Sequence, residues 1–287
     1  MSGRAGVGLI GGSGVYDLST IEDLAERRLE TPFGRPSDAY FTGNVGGVPV
    51  AFLSRHGRGH RISPSEINYR ANICGFKMLG CDALLSASAC GSLREELAPR
   101  QAVIPDQFID RTRHRADTFF EDGVVGHASL ADPVCPALSV ALEEGARRGG
   151  LQVRRGGTYV CMEGPQFSTR AESNLYRSWG ADVIGMTNLT EARLAREAEL
   201  CYASLALVTD YDCWRGATED VSIDTILAVM AENTAAARRS LVEAVARVDP
   251  GRRCGCREAM RFGVVTDRAA IPEATRRRLE PVAGKYL

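Results

Sequence analysis

Short apolar runs recur along the chain: VGLIGG from Val7, VPVAFLS at 48–54, DALLSASA at 82–89 and ASLALVT at 203–209. Their hydrophobicity is continuous rather than alternating, which marks strands buried on both faces of a sheet that helices cover. Residues 65–79 and 191–200 place apolar side chains at helical spacing, and 224–248 is long enough for a terminal helix. Strands alternating with helices predict an α/β fold: a single domain with a central mixed β-sheet flanked by helices. No repeat, low-complexity tract or linker interrupts the pattern before Asp249. One domain is expected over residues 1–287, with a C-terminal extension from about 250. That extension is rich in arginine and broken by Pro272 and Pro281, so it is expected to be peripheral.

Composition adds exclusions more than assignments. With 287 residues, 44% hydrophobic and 25% charged, the chain has apolar material for one extended core and the profile of a soluble protein. A net charge of −1 provides no general basic field for nucleic acid or anionic lipid. Any anion chemistry must therefore come from local constellations. No apolar run reaches the roughly 20 residues of a membrane helix, and the N-terminus lacks signal-peptide character, so a cytoplasmic protein is expected. Nine cysteines are scattered without paired CxxC blocks, and the four histidines are dispersed, so no metal site is expected. Cys254 and Cys256 form an isolated CxC that reads as two ordinary thiols.

Candidate chemistry collects at the ends of the apolar runs. Gly11-Gly12-Ser13-Gly14 follows the first run, and its glycines and hydroxyl suit either an anion cradle or a plain tight turn. It lacks the endings of a P-loop or a dinucleotide fingerprint. The sequence from Arg55 to His60, RHGRGH, follows the second run, where open α/β sheets bind ligands and an arginine can grip an anion by two parallel hydrogen bonds. Ser86 to Ser92, SASACGS, ends the third with small residues that leave room for a ligand, and Ser88 offers a hydroxyl. In Met186 to Glu191, MTNLTE, the spacing of Asn188 and Glu191 predicts a capping box with Thr187 just ahead of a helix N-terminus. Thr209-Asp210-Tyr211-Asp212 ends the fourth run, and alternate residues of an extended backbone would point Asp210 and Asp212 into one cleft. Each has a bland alternative: close packing, capping without a ligand, or solvated charge.

Taken together, IGGSG, RHGRGH, SACGSLRE, EGPQFSTRAE, GMTNLTEA and VTDYDCW resemble the trimeric purine nucleoside phosphorylases, in unbroken order over roughly residues 7–245. The likeness is greatest to the branch acting on 5'-methylthioadenosine. It implies phosphorolysis of that nucleoside to adenine and 5-methylthioribose 1-phosphate, with inorganic phosphate as co-substrate, no metal and no organic cofactor. It implies a phosphate site of Ser13, Arg55, His56, Ser88 and Thr187. It also implies ribose contacts from Ala89 and Met186, and a nucleoside pocket that includes Phe167 against the purine and Thr209. Asp210 would assist the departing purine at N7, with Asp212 orienting it and the exocyclic amine. Ile223 and Ile226 would line an apolar 5' pocket, and His127 would reach it from a neighbouring subunit of a homotrimer. Relatives that prefer 6-oxopurines usually carry Asn at the position of Asp210, so Asp favours 6-aminopurines.

The sequence departs from the family at Leu189-Thr190, in place of which relatives often have a residue followed by Pro, and at Ser13 and Ser88, where many relatives have Thr. The tail after Cys256 matches poorly, and the resemblance implies Val265 as the counterpart of an apolar side chain lent to the adjacent site. A 6-oxopurine or methylthioinosine phosphorylase, a hydrolytic nucleosidase and a silent nucleoside binder remain the alternatives.

Overall fold

The structure, a computed structural model, describes residues 6–12, 18–215, 223–249, 251–252 and 254–287. Among the described residues, eleven strands form one mixed sheet. They are β1 (Val7–Gly11), β2 (Glu22–Arg27), β3 (Tyr40–Val45), β4 (Val48–Ser54), β5 (Ala83–Ser92), β6 (Gln101–Ile104), β7 (Gln107–Arg111), β8 (Gln152–Arg155), β9 (Thr158–Met162), β10 (Val183–Gly185) and β11 (Cys201–Tyr211). The helices are α1 (Tyr69–Met78), α2 (Pro136–Arg148), α3 (Arg170–Ser178), α4 (Asn188–Glu197), α5 (Ile223–Val245) and α6 (Glu273–Ala283). The four apolar runs of the sequence are β1, β4, β5 and β11, which lie side by side and parallel in the order β4-β1-β5-β11.

Successive residues of these strands point to opposite faces and enter different cores. Leu9, Leu85 and Leu205 meet Leu138 and Leu142 of α2 and Ala237 and Leu241 of α5. Ile10, Leu53, Leu84 and Tyr202 meet Ile73 and Phe76 of α1, Leu194 of α4 and Leu279 of α6. Two-sided cover is why the runs are continuously apolar. Among the described residues no helix is long and apolar enough to cross a membrane.

The structure corrects the sequence reading in the tail. Rather than lying at the periphery, Met260, Ile271, Leu279, Val282 and Ala283 are buried in the second core, and Pro281 sits inside α6 without ending it. Polar ties reinforce the packing: Tyr286 donates to Glu199 Oε1 at 2.6 Å, and Arg252 donates to the Asp82 carboxylate at 2.8 Å.

The sheet divides where β5 outruns its neighbour. Along one edge, β5 pairs with β1 only as far as Ala87 opposite Gly11, and pairing resumes with antiparallel β10 at Gly91 opposite Ile184. Between these two partners, Ser88, Ala89 and Cys90 form the wall of a crevice. Ala89 is accordingly exposed in an otherwise buried stretch of strand. Such a change of strand direction at carboxyl ends is where open α/β sheets take ligands.

Candidate active site

Arg55 follows β4 and its backbone N–H donates to Gly11 O at 2.9 Å, which seats it beside the end of β1. Its guanidinium is buried. Nε and Nη2 donate to the two Glu191 oxygens at 2.5 and 3.2 Å, Nη2 also donates to Ser86 Oγ at 2.7 Å, and Nη1 donates to Ala87 O at 3.0 Å. Nη1 alone has a second N–H not committed in these contacts, so Arg55 can offer one donor to a ligand while its charge is held by Glu191.

This arrangement overturns the expected capping box. Thr187 is the N-cap of α4 and its side chain makes no capping bond. Asn188 instead accepts from Ser88 Oγ at 2.6 Å and donates to Ser86 Oγ and Tyr202 Oη at 3.1 and 3.0 Å. Glu191 accepts from Arg55, Ser86 and Tyr202. Buried polar groups find partners wherever they can, and here the cross-sheet partners win over the local cap. The capping box of this region lies at the start of α3, between Thr169 and Glu172. With α4 locked onto β5, its N-terminal amides and the Thr187 hydroxyl, which makes no capping bond, sit at the crevice, where an anion is favoured.

His56 is buried beside Arg55 and stacks on His60 with centroids 4.3 Å apart. Its Nδ1 lies 2.9 Å from the Ile62 carbonyl, which only accepts, so Nδ1 carries the hydrogen and Nε2 of the neutral ring is an acceptor. Burial and the Arg55 charge push the imidazole pKa down to about 4, so the ring is neutral near pH 7.

On the other side of the crevice, the β5–β11 register shifts between Val208 and Asp210. This bulge leaves Thr209 as the extra residue and brings two consecutive side chains together: Thr209 Oγ1 donates to Asp210 Oδ2 at 2.6 Å and lies 3.2 Å from Cys90 O. Alternation alone would have separated them. Asp212 follows the strand with its N–H on Ser92 O at 3.0 Å. Both carboxylates border Gly91, where an added Cβ would stand 3.3 Å from Asp212 Cβ and 3.4 Å from Asp210 Oδ1, so a side chain there would crowd both.

Burial raises the Asp210 pKa, the Thr209 hydroxyl partly offsets this, and the Asp212 charge adds to the rise. Burial also raises Asp212, against the Ser173 hydroxyl and the Cys213 N–H. Asp212 Oδ2 is buried without a hydrogen-bond partner among the described residues. The Ser173 hydroxyl, likewise buried and unpartnered, is a donor close enough to lower the Asp212 pKa.

Met186 is set by a residue that the sequence reading missed. Arg115, inaccessible but for 1% of its side chain, donates to Met186 O and Glu163 O, both at 2.6 Å, and lies over the Tyr69 ring. It thereby pins the loop after β9 to the loop after β10. Gly164 permits the approach, because a Cβ there would fall 2.6 Å from Met186 Sδ. The same loop carries Phe167, which is 81% exposed, and it is tied to the strand end by Cys213 Sγ on Ser168 O at 3.2 Å.

Arg55, His56, Ser88, Ala89, Met186, Thr187, Thr209, Asp210 and Asp212 thus gather along one crevice, with Phe167 on its border. His127 does not join them in the same chain. It is exposed, donates its backbone N–H to Gly263 O at 2.8 Å, and lines a separate shallow pocket with Asp117, Arg193 and Glu197. Ser13 and the side chains of Ile223 and Ile226 lie outside the described residues.

The model of the phosphorylase superfamily matches residues 7–246. The chain is 55% identical to the S-methyl-5'-thioadenosine phosphorylase of Geobacter sulfurreducens, covering 98% of this chain and 99% of that protein. It is 53% identical to the enzyme of the same name from Thermosynechococcus vestitus, covering 99% of each chain. Among solved structures, a methylthioadenosine phosphorylase from an antarctic soil metagenomic library matches with a TM-score of 0.93 at 45% identity, over 98% of this chain and 99% of the other. Methylthioadenosine phosphorylase from Schistosoma mansoni in complex with adenine matches with a TM-score of 0.80 at 40% identity, over 85% and 91%.

Proposed function

The chain belongs to the phosphorylase superfamily, and on that premise we propose that the crevice binds phosphate at its β1–β4–β5 end and a purine nucleoside at its β5–β11 end. The enzyme is a pentosyltransferase that cleaves 5'-methylthioadenosine with phosphate, giving adenine and 5-methylthioribose 1-phosphate. The observation that carries the choice of base is the Asp210–Asp212 pair around Gly91. Two carboxylates beside Gly91 can accept from the exocyclic amine of adenine, whereas the carbonyl of a 6-oxopurine offers them no donor.

In the reaction the C1'–N9 bond breaks and its electron pair leaves with the purine, while an oxygen of phosphate forms the new bond to C1'. Asp210, its pKa raised by burial, delivers a proton to N7 and so makes adenine a better leaving group. The hydrogen of HPO4 2− balances the one gained by adenine. Negative phosphate below the ring stabilises the developing ribosyl cation. Arg55 Nη1, the α4 amides, Ser13, Ser88 and Thr187 would hold the phosphate, and neutral His56 would accept from its protonated oxygen through Nε2. Ala89 and Met186 border the ribose, Phe167 covers the base, and Thr209 aligns Asp210. Ile223 and Ile226 are assigned to the 5' pocket on the family pattern.

A homotrimer with His127 lent to the neighbouring site is part of this proposal, as is a cytoplasmic location. What supports the trimer is an exposed apolar surface around His127. Val125, Phe262 and Val265 are 49%, 85% and 59% exposed, on two segments joined by Val265 N–H to Val125 O at 3.1 Å. Mass analysis of the sugar product tests the reaction type: 5-methylthioribose 1-phosphate is expected, and free 5-methylthioribose would make the enzyme a hydrolase.

A further inference from the structure

Four cysteines that the sequence scatters over 122 positions meet in one place. Cys135 caps the start of α2, Cys201 opens β11, and Cys254 and Cys256 flank the turn that begins the C-terminal segment. Their sulfur atoms all lie within 4.8 Å of one another, and three of the four residues are buried. Cys201 Sγ is 3.1 Å from Cys254 Sγ and within hydrogen-bonding reach of Cys135 and Cys256. A tetrahedral zinc with Zn–S bonds near 2.3 Å needs sulfur separations of about 3.8 Å, inside the range spanned here.

The surroundings treat these sulfurs as acceptors. Arg196 Nη1 donates to Cys256 Sγ at 3.8 Å, and the Arg252 guanidinium and the Leu138 amide lie near Cys201 and Cys135. Four neutral thiols have little use for two neighbouring guanidinium cations. Four thiolates around a divalent cation carry a net charge of −2, which such donors offset. A surface depression lined by Gly251, Arg252, Cys254, Arg257 and Glu258 reaches the cluster and gives an ion a way in.

We propose that Cys135, Cys201, Cys254 and Cys256 form a structural zinc site that staples the C-terminal segment to the head of β11 and the N-terminus of α2. Tetrahedral four-sulfur coordination selects a soft, borderline cation such as Zn2+ over Mg2+ or Ca2+, and with no fifth position open the site is structural rather than catalytic. It lies at the opposite end of β11 from Asp210, about 30 Å along an extended strand. Its ion has no access to the reacting atoms. The CxC pair that reads as two ordinary thiols is then half of a closed ligand set.

The test is elemental analysis of protein purified under reducing conditions without added metal or chelator, followed by replacement of the bound ion with Co2+. One zinc per chain is expected, with thiolate-to-cobalt charge-transfer absorption and the visible bands of tetrahedral cobalt after replacement. Cys254→Ser should lose the zinc, whereas Cys81→Ala, whose sulfur lies outside the cluster, should retain it. The wild-type cobalt spectrum decides the matter should Cys254→Ser fail to fold. The proposal is overturned if the reduced protein takes up neither zinc nor cobalt, if iron occupies the site, or if peptide mapping finds these cysteines joined as disulfides.

Discussion

Arg55 and Glu191, 136 positions apart, form a two-point ion pair almost wholly removed from solvent, with 1% and 0% of their side chains exposed. The pair closes α4 against the ends of β4 and β5 and so fixes both the guanidinium and the helix N-terminus at the end of the crevice proposed for phosphate. Removing one member of a buried pair leaves an uncompensated charge.

Glu191→Gln should therefore destabilise the fold by about 3–5 kcal/mol in urea unfolding. In the protein that remains folded, the KM for phosphate should rise by about tenfold, the equivalent of one weakened charge-assisted hydrogen bond of ~1.4 kcal/mol. The KM for nucleoside should hold. A rise in nucleoside KM alone would mean that the pair supports the wrong end of the site.

Asp210→Asn keeps the shape but removes the proposed proton donor. The kcat for methylthioadenosine should fall by roughly 100- to 10,000-fold, and the ratio of activity on methylthioinosine to that on methylthioadenosine should rise. Because burial raises the Asp210 pKa, the wild-type rate should decline as pH increases through that raised value, and the variant should lack this limb. His56, with its pKa at about 4, should contribute no titration between pH 6 and 8.

Arg115→Met retains bulk while releasing the carbonyls of Glu163 and Met186. Loosening both loops by about 1 Å should cost on the order of 100-fold in kcat/KM. Steady-state kinetics with saturating phosphate checks this, and an unchanged kcat/KM would remove Arg115 from the site.

Glu197 is buried, accepting from the Phe119 N–H at 2.7 Å and the Thr118 hydroxyl at 2.8 Å, and burial lifts its pKa from 4.5 to about 7. In that interval the native state keeps a proton that the unfolded chain has lost. Stability should consequently fall as pH rises from about 4.5 to about 7 and level off above, by at most about 3 kcal/mol from this group. Thermal unfolding across that range should show the slope in wild type and a flatter profile in Glu197→Gln.

What could be read along the chain was whatever a short window contains. The strands β1, β4, β5 and β11 are two-sided and so continuously apolar, and their carboxyl ends carry Arg55, Ser88 and Asp210. The bulge at Thr209 leaves no local trace, because it is a property of the β5–β11 register. Glu191 looked like a cap residue since its partner is 136 positions away. Arg115 was one arginine among many, and only the fold brings it to Glu163 and Met186. The tail misled because α6 is mostly polar: Leu279, Val282 and Ala283 form a narrow apolar stripe amid arginines, and Pro281 reads as a breaker.

The most direct measurement is base release by the purified protein from methylthioadenosine and from methylthioinosine, each with and without inorganic phosphate. Adenine released only when phosphate is present, and in excess of hypoxanthine, is the predicted result. Cleavage that proceeds equally without phosphate, or hypoxanthine release that dominates, would contradict the account.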